Sequence, residues 1–508
     1  MNNHQINDSY VSIESALKRD GYFVFSHDDI KPHESENKLR LVHNRPTGVT
    51  HAKIPDAGEA PGIKIPEKPA SIIPEGYKKG AKPEPTHYVE TDYNISTIIS
   101  HLQEHMRRIS TNVIGRDDII QQLMYAILTG EHMLLLSRTG MAKSYLANEV
   151  FNSFENVRIF SAQASKDQTP DNYFGPYNIE EFKKGIIRHN IKGSIIEANL
   201  VLLDEFFDAS DVVLRSLLSV LNERKFVNGS EQIDVAIHTA IATANYMRLN
   251  EVTEAILDRF LYKAIIPEDD DMYNRLLIDQ AYSIRKGKPE EPMRKIPFDQ
   301  IVFLHNVIKN NNKKIQINFP DSVKFLKNVI INKFISEIRK SEPEFFISPR
   351  KQAKIADFLR ATAILDNRYE ITMQDLRNMY IGLVTLNRYV SVKQKDRLFT
   401  DIFIDTYEQT MSHFKATNAF QQIDFLLNIK NIFQVLRDNP EKKETLHEEK
   451  GLLQSLKNIL VKIFPLKTKE EDVLTIESLR KNIVELNPSV EEVRELKQGI
   501  LRDYKDIY

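Results

Sequence analysis

The stretch Leu134-Leu-Leu-Ser-Arg-Thr-Gly-Met-Ala-Lys-Ser144 decides how the rest of the chain is read. An apolar run, short enough for a buried strand, breaks into small and polar residues and then into a helical pattern. Downstream, Val201-Leu-Leu-Asp-Glu205 does the same and ends in two adjacent carboxylates. In a phosphate loop, successive backbone N–H groups point inward and the next helix begins at the anion. A lysine reaches the phosphates, and the hydroxyl that follows it ligates magnesium, which prefers oxygen. Gly140, Lys143 and Ser144 suit those roles. The regular pattern would place glycine at 137 and 142, where this chain has Ser137 and Ala142. Each adds a Cβ where such loops turn through positive φ. Taken alone, Gly140 to Ser144 also reads as a chance helix start.

The acid pair changes that balance. Val201 to Leu203 has the composition of a buried strand; Asp204 would hold the magnesium shell and Glu205 would polarise an attacking water. Adjacent acids at a strand end also serve as helix caps, but their order after Lys143 favours chemistry. A third strand, Ile237 to Ala242, runs into Asn245, whose amide could bond a phosphate or simply form a turn. Leu257-Asp-Arg-Phe260 sets Arg259 before the strand Lys263 to Ile266. Arginine forks suit transferring phosphates, and a structural pair with Asp258 fits equally well. Ser348-Pro-Arg350 opens a helix with an arginine, the sign the helix dipole disfavours there, which mildly favours an anion nearby, a plain surface arginine being the default otherwise.

The 508 residues leave room for several domains. A net charge of −2 supplies no global field to draw in nucleic acid or an anionic membrane. The absence of cysteine excludes disulfides, thiolate nucleophiles and cysteine metal sites, and fits a reducing compartment. The polar N-terminus lacks the pattern of a signal peptide, and no run approaches the ~18 apolar residues of a spanning helix. A cytoplasmic protein is expected. The histidines show no metal spacing: His447-Glu-Glu-Lys lacks its second histidine, so no zinc site is expected.

Residues 1–45 read as a small N-terminal extension, with a helical pattern from Val11 to Arg19 and a strand-like Tyr22-Phe-Val-Phe25. From 46 to 92 prolines and glycines recur, which suits an extended linker. Residues 93–284 alternate apolar strands (Met133–Leu136, Val157–Phe160, Leu200–Leu203, Ile237–Ala242) with helices. That pattern implies a parallel sheet covered on both faces. The helices Lys143–Phe154 and Asp211–Leu221 stand out by periodicity. Residues 285–389 turn helical, with Asp321 as a candidate cap and Thr372-Met-Gln-Asp375 as a capping box. Residues 390–508 are also helical by periodicity, at Phe420, Ile423 and Leu427 and again at Ile459, Leu460 and Ile463, with a solvated connection from Glu441 to Lys450. Phe226 to Ile233 reads as a hairpin turning at Asn228-Gly229.

These residues resemble the MoxR branch of AAA+ ATPases, and most of all its RavA group. The resemblance rests on Ile114-Gly-Arg-Asp-Asp-Ile-Ile120, Gly140-Met-Ala-Lys-Ser144, Phe174-Gly-Pro176 and Leu202-Leu-Asp-Glu205. It continues through Leu221-Asn-Glu-Arg-Lys-Phe226, Ala244-Asn245, Leu257-Asp-Arg-Phe260 and Ser348-Pro-Arg350. It runs from about Tyr93 to Tyr389, and alanine before the lysine is common in that family's loop. It implies an α/β AAA+ core with a five-stranded parallel sheet, followed by a helical lid and a further helical C-terminal region.

By the same resemblance, Lys143 and Ser144 are the Walker A pair, and Asp204 and Glu205 are Walker B. Asn245 is sensor 1, Arg259 the arginine finger and Arg350 sensor 2. Ile114 and Gly115 lie at the base, while Ser137, Arg138, Thr139, Gly140, Met141 and Ala142 wrap the phosphates. Ser144 and Asp204 hold the metal. The segment from Phe174 to Gly193 forms the helix-2 insert, which with the Asn228-Gly229 hairpin lines the pore of a ring. ATP and Mg2+ are the implied cofactors. The implied assembly is a homo-oligomer, a hexamer by family habit, that remodels or matures partner complexes, commonly with a von Willebrand A-domain protein. The departure is Ser137-Arg138-Thr139, where the family has glycine and usually two prolines; either Ser137 or Arg138 could weaken nucleotide binding, and the sequence leaves that open. Two alternatives follow. One is a nucleotide-regulated scaffold with little turnover. The other is a cofactor-insertion or nucleic-acid motor of the same clade, against which the balanced charge counts.

Overall fold

The computed structural model describes residues 93–505, apart from 246–256, 267–270, 286–293, 342, 344, 384–388, 393–394 and 439–475. The expected N-terminal extension and linker, the Glu441–Lys450 connection and the periodic residues Ile459, Leu460 and Ile463 lie outside the described residues.

The chain opens with helices α1 (Ile95–Asn112) and α2 (Asp117–Thr129). Then come β1 (His132–Leu136), α3 (Lys143–Phe151), β2 (Ile159–Gln163) and β3 (Leu200–Asp204). Next are α4 (Asp211–Glu223), a hairpin of β4 (Lys225–Asn228) and β5 (Glu231–Asp234), β6 (Thr239–Ala244) and β7 (Phe260–Ile265). The strands β2-β3-β6-β1-β7 form one five-stranded sheet, parallel throughout. Its inner strands are buried on both faces, which is why they read as unbroken apolar runs rather than alternating ones.

Successive side chains point to opposite faces. Met133, Leu135, Leu202 and Ile241 join the layer of α1, α2 and α3, whereas Leu134, Val201, Leu203 and Ala242 join the layer of α4. Leu134 and Leu135 are both wholly buried, and truncating either to alanine would cost roughly 2–5 kcal/mol.

Several expected boundaries move, each for a tertiary reason. Helix α3 stops at Phe151 because Phe154 pairs as a strand residue with Ile296. Strand β2 begins at Ile159, where it meets Leu200 of β3. Strand β7 begins at Phe260, which pairs with His132.

Beyond the sheet come α5 (Met272–Arg285), α6 (Phe298–Ile308), α7 (Asp321–Arg339) and α8 (Pro349–Leu365). Asp321 is the first helical residue of α7 rather than its cap; its carboxylate pairs with Lys324 at 2.8 Å. Thr372 and Asp375 form the expected capping box, but it opens a 3-10 turn, Met373–Met379. Helix α2 packs against α6 and α8. Glu131, just before β1, meets Lys354 of α8 at 2.5 Å and Lys309 at the end of α6 at 3.6 Å.

The C-terminal region is helical as expected, opening with a hairpin that the sequence reading did not include, Tyr389–Val392 against Lys395–Leu398. It continues as α9 (Phe399–Ala416), α10 (Ala419–Asp438), α11 (Ile476–Glu485) and α12 (Glu491–Asp503). Lys333 of α7 bridges to Glu492 of α12 at 2.9 Å. A single apolar cluster includes residues from α1 through the lid helices to Tyr504. No helix among the described residues is long and apolar enough to cross a membrane.

Candidate functional site

Because β1, β3 and β6 are parallel neighbours, their carboxyl ends open on the same edge, where doubly wound sheets bind ligands. Strand β1 leads through residues 137–142 into α3, which begins at Lys143. Strand β3 ends at Asp204 with Glu205 next, and β6 ends at Ala244 with Asn245 next. Residues 139–145, Asp204, Glu205 and Asn245 line one cleft of about 240 Å³.

Within it the polar groups interlock. Lys143 Nζ donates to the carbonyls of Ser137 (3.0 Å) and Arg138 (3.2 Å) and to Asn245 Oδ1 (2.5 Å). Asn245 Nδ2 in turn donates to Glu205 Oε1 at 2.5 Å. The single amide thus links the ammonium to the carboxylate. Ser144 Oγ donates to Asp204 Oδ2 at 2.7 Å, and Thr243 donates its hydroxyl to the other Asp204 oxygen. Burial lowers the Lys143 pKa, against the pull of Glu205 and Asp204. Burial raises that of Glu205, opposed by Lys143 and by the Asn245 hydrogen bond. The cleft therefore holds a cation and two acids in a partly desolvated setting, where charge–charge interactions gain strength.

The backbone is bent to reach this geometry. Ala142 (φ 59) and Glu205 (φ 52) are left-handed, a conformation that costs a non-glycine residue on the order of 1–2 kcal/mol. Ser137 is not left-handed, and its hydroxyl donates to the Arg138 carbonyl at 3.0 Å. The irregular loop thus carries its strain at the second replaced glycine and not at the first. Asp204 and the Ser144 hydroxyl offer the hard oxygen donors that suit Mg2+, with phosphate and water to complete its shell. Among the described residues no group of three or more His, Asp or Glu could hold a metal ion by itself.

Other sequence candidates lie elsewhere. Ile114 and Gly115 sit in the turn between α1 and α2 and are not among the cleft-lining residues. Arg259 and Arg350 also stay out of the cleft: Arg259 Nη1 is 3.5 Å and Arg350 Nη1 3.7 Å from Asp258 Oδ2. The pair with Asp258 that the sequence left open is therefore present, and it gathers both arginines.

The segment from Phe174 to Gly193 carries a short helix, Ile179–Phe182, and exposes Ile179, Phe182 and Ile187. It docks on the β4–β5 hairpin. Asn228 accepts from the His189 N–H (2.6 Å) and donates to the His189 carbonyl (3.1 Å), and Arg188 bridges to Glu231 at 2.7 Å. The hairpin loop is Gly229-Ser230, one residue later than expected, because Asn228 stays in the strand to make those bonds. At Gly229 (φ 67) a Cβ would lie 2.6 Å from the Ile187 carbonyl, so only glycine fits.

Two contributors escaped the sequence reading. Thr243 looks like a small residue in an apolar strand, and its polarity two positions before Asn245 was the available signal. Tyr145 lines the cleft directly after Ser144.

Comparison with known proteins identifies the domains that carry this cleft and the helices beyond it. Residues 100–306 match the model of a MoxR domain from MoxR–vWA–β-propeller ternary systems, and residues 328–383 match an AAA lid domain. An uncharacterized protein of Methanocaldococcus jannaschii is 24% identical over 287 residues, 56% of this chain and 70% of that protein. The chaperone MoxR1 of Mycobacterium tuberculosis is 24% identical over 270 residues, 52% of this chain and 69% of its own. A crystal structure of a candidate ATPase from Cytophaga hutchinsonii aligns with a TM-score of 0.47 at 19% identity, covering 62% of this chain and 95% of that one. With its parallel five-stranded sheet, helical lid and matched domains, the chain belongs to the MoxR family of AAA+ ATPases.

Proposed function

We propose that this protein hydrolyses ATP with magnesium, working as an oligomeric ring that remodels or matures partner protein complexes. The observation that carries the reading is the convergence of Lys143, Ser144, Asp204, Glu205 and Asn245 on one cleft. The Lys143 ammonium, now bonded to neutral oxygens, would exchange some of them for phosphate oxygens of higher charge. Ser144 and Asp204 would hold the metal, which supplies charge neutralisation on the phosphates. Glu205, kept in place by Asn245, would accept a proton from the attacking water. Arg259 and Arg350, away from the cleft of their own chain, would serve ATP held by a neighbouring copy.

The domain's description in MoxR–vWA–β-propeller systems supports a von Willebrand A-domain partner, and favours that setting over the RavA group. The exposed insert and its docked hairpin would meet the client, and the C-terminal helices would choose it. The scaffold alternative loses its main motive, because Ser137 carries no left-handed strain.

The test is phosphate release by the purified protein beside Glu205→Gln and Lys143→Ala. Turnover should fall by about 10²-fold or more in Glu205→Gln with nucleotide still bound, whereas Lys143→Ala should lose binding. Equal rates in wild type and Glu205→Gln would defeat the hydrolytic reading.

A further inference from the structure

Asp258 sits in the turn before β7 and is the hub of a mostly cationic cluster. Its Oδ2 lies 3.5 Å from Arg259 Nη1 and 3.7 Å from Arg350 Nη1, and its Oδ1 accepts from Ser348 Oγ at 3.1 Å. Ser348 is the cap of α8, and Arg350 stands in that helix's first turn. Lys263 and Lys351 also lie within the attraction of this carboxylate. Two arginines thus flank one acid, while burial works against the charge of both lysines. Arg350 Nη1 has a second anchor in Asn222 Oδ1 of α4, at 3.0 Å. The Arg259 Nε is buried and has no hydrogen-bond partner among the described residues.

Two guanidinium groups held against the same carboxylate repel each other. The positive end of α8 adds to that repulsion at Arg350. A carboxylate between them offsets that repulsion and leaves the group with net positive charge.

We propose that Asp258 is a positioning residue: it clasps Arg259 of the core and Arg350 of the lid into one paired cation that receives the terminal phosphate of ATP bound to a second copy of this chain. This rests on the hydrolytic, inter-subunit reading above. It adds a dependence on lid position. Asp258 reaches Ser348 and Arg350 on α8 while it belongs to the core turn, so a shift of α8 opens the clasp and separates the arginines.

The experiment uses Asp258→Asn, which keeps an acceptor for Ser348 but loses the charge, and Ser348→Ala, which loses the Asp258 contact together with the cap's bond to the Lys351 N–H. Phosphate release gives kcat and KM, a fluorescent ATP analogue gives the nucleotide Kd, and thermal unfolding reports folding. For Asp258→Asn, kcat should drop about tenfold or more with Kd within about twofold; Ser348→Ala should lower kcat by a few-fold.

Mixing Asp258→Asn with Lys143→Ala chains should restore turnover, because intact clefts of the first then face intact clasps of the second. A wild-type kcat in Asp258→Asn, or a loss that mixing does not repair, overturns the proposal. If Asp258→Asn unfolds early, an unchanged kcat in Ser348→Ala overturns it instead. Arg259→Ala mixed with Lys143→Ala separates the two layers. Recovery there without recovery for Asp258→Asn condemns only the clasp, and no recovery in either mixture condemns the inter-subunit reading itself.

Discussion

Ser144 donates its hydroxyl to the Asp204 carboxylate at 2.7 Å, although one opens a helix and the other ends a strand. Thr243 holds the second Asp204 oxygen from β6. The two oxygens proposed for magnesium are therefore set in place by three different elements. Ser144→Ala should leave the fold intact and raise the Mg2+ concentration needed for half-maximal turnover by about tenfold or more. A Mg2+ titration of phosphate release checks this, and an unchanged midpoint would remove Ser144 from the metal site.

Glu205 is the proposed base, and burial raises its pKa. A base works only when deprotonated, so turnover should decline as the pH falls through that raised value. The acid limb of kcat should thus lie above the ordinary glutamate value of about 4.3. Asn245→Ala removes a hydrogen bond that favours the charged form, so it should move the limb further up. A pH–rate profile of both proteins decides the point; a limb at or below the ordinary carboxylate range would contradict it.

The loop residue to relax is Ala142 and not Ser137. Ser137→Gly should change ATP affinity by less than about twofold, since that position is not left-handed. Ala142→Gly relieves a left-handed alanine and should stabilise the fold by about 0.5–1 kcal/mol. Nucleotide titration and thermal unfolding of the two variants test the pair. A large affinity gain in Ser137→Gly would restore the suspicion that serine damages the loop.

Acid should weaken the fold through three histidines. His132 donates from Nε2 to the Leu221 carbonyl (2.7 Å) and accepts at Nδ1 from the Ala240 N–H (3.0 Å), so it is held neutral. Burial lowers its pKa to about 3, that of His238 to about 3 and that of His305 to about 4. The unfolded chain binds these protons near pH 6.5 and the folded chain does not. Stability is then fully present above about 6.5 and lost as pH falls toward about 4 for His305 and about 3 for His132 and His238, by up to about 1.4 kcal/mol per pH unit for each. Unfolding midpoints at pH 7, 6 and 5 measure it; a flat profile would show that these rings are not kept neutral.

Much of this was legible in the residues. The strands around Leu134 and Val201 announced themselves because a sheet covered on both faces demands continuous apolar runs. Lys143, Ser144, Asp204 and Glu205 announced themselves by type and order. Boundaries fared worse wherever a distant partner decided them: Phe154 is apolar at a helical position, yet Ile296 draws it into a strand pair. Asn245 could not be told from a turn residue, because its role depends on an ammonium and a carboxylate that come from other strands.

The sequence by itself determined the alternation of strand and helix, the chemical types at the phosphate loop and the acid pair, and the family to which they point. Tertiary structure alone decided that Asn245 bridges Lys143 to Glu205, that strain falls on Ala142, and that Arg259 and Arg350 leave the cleft to share Asp258. Local pattern follows from neighbours along the chain. These relationships join groups that the sheet order and the packing of α8 bring together, and no periodicity encodes that.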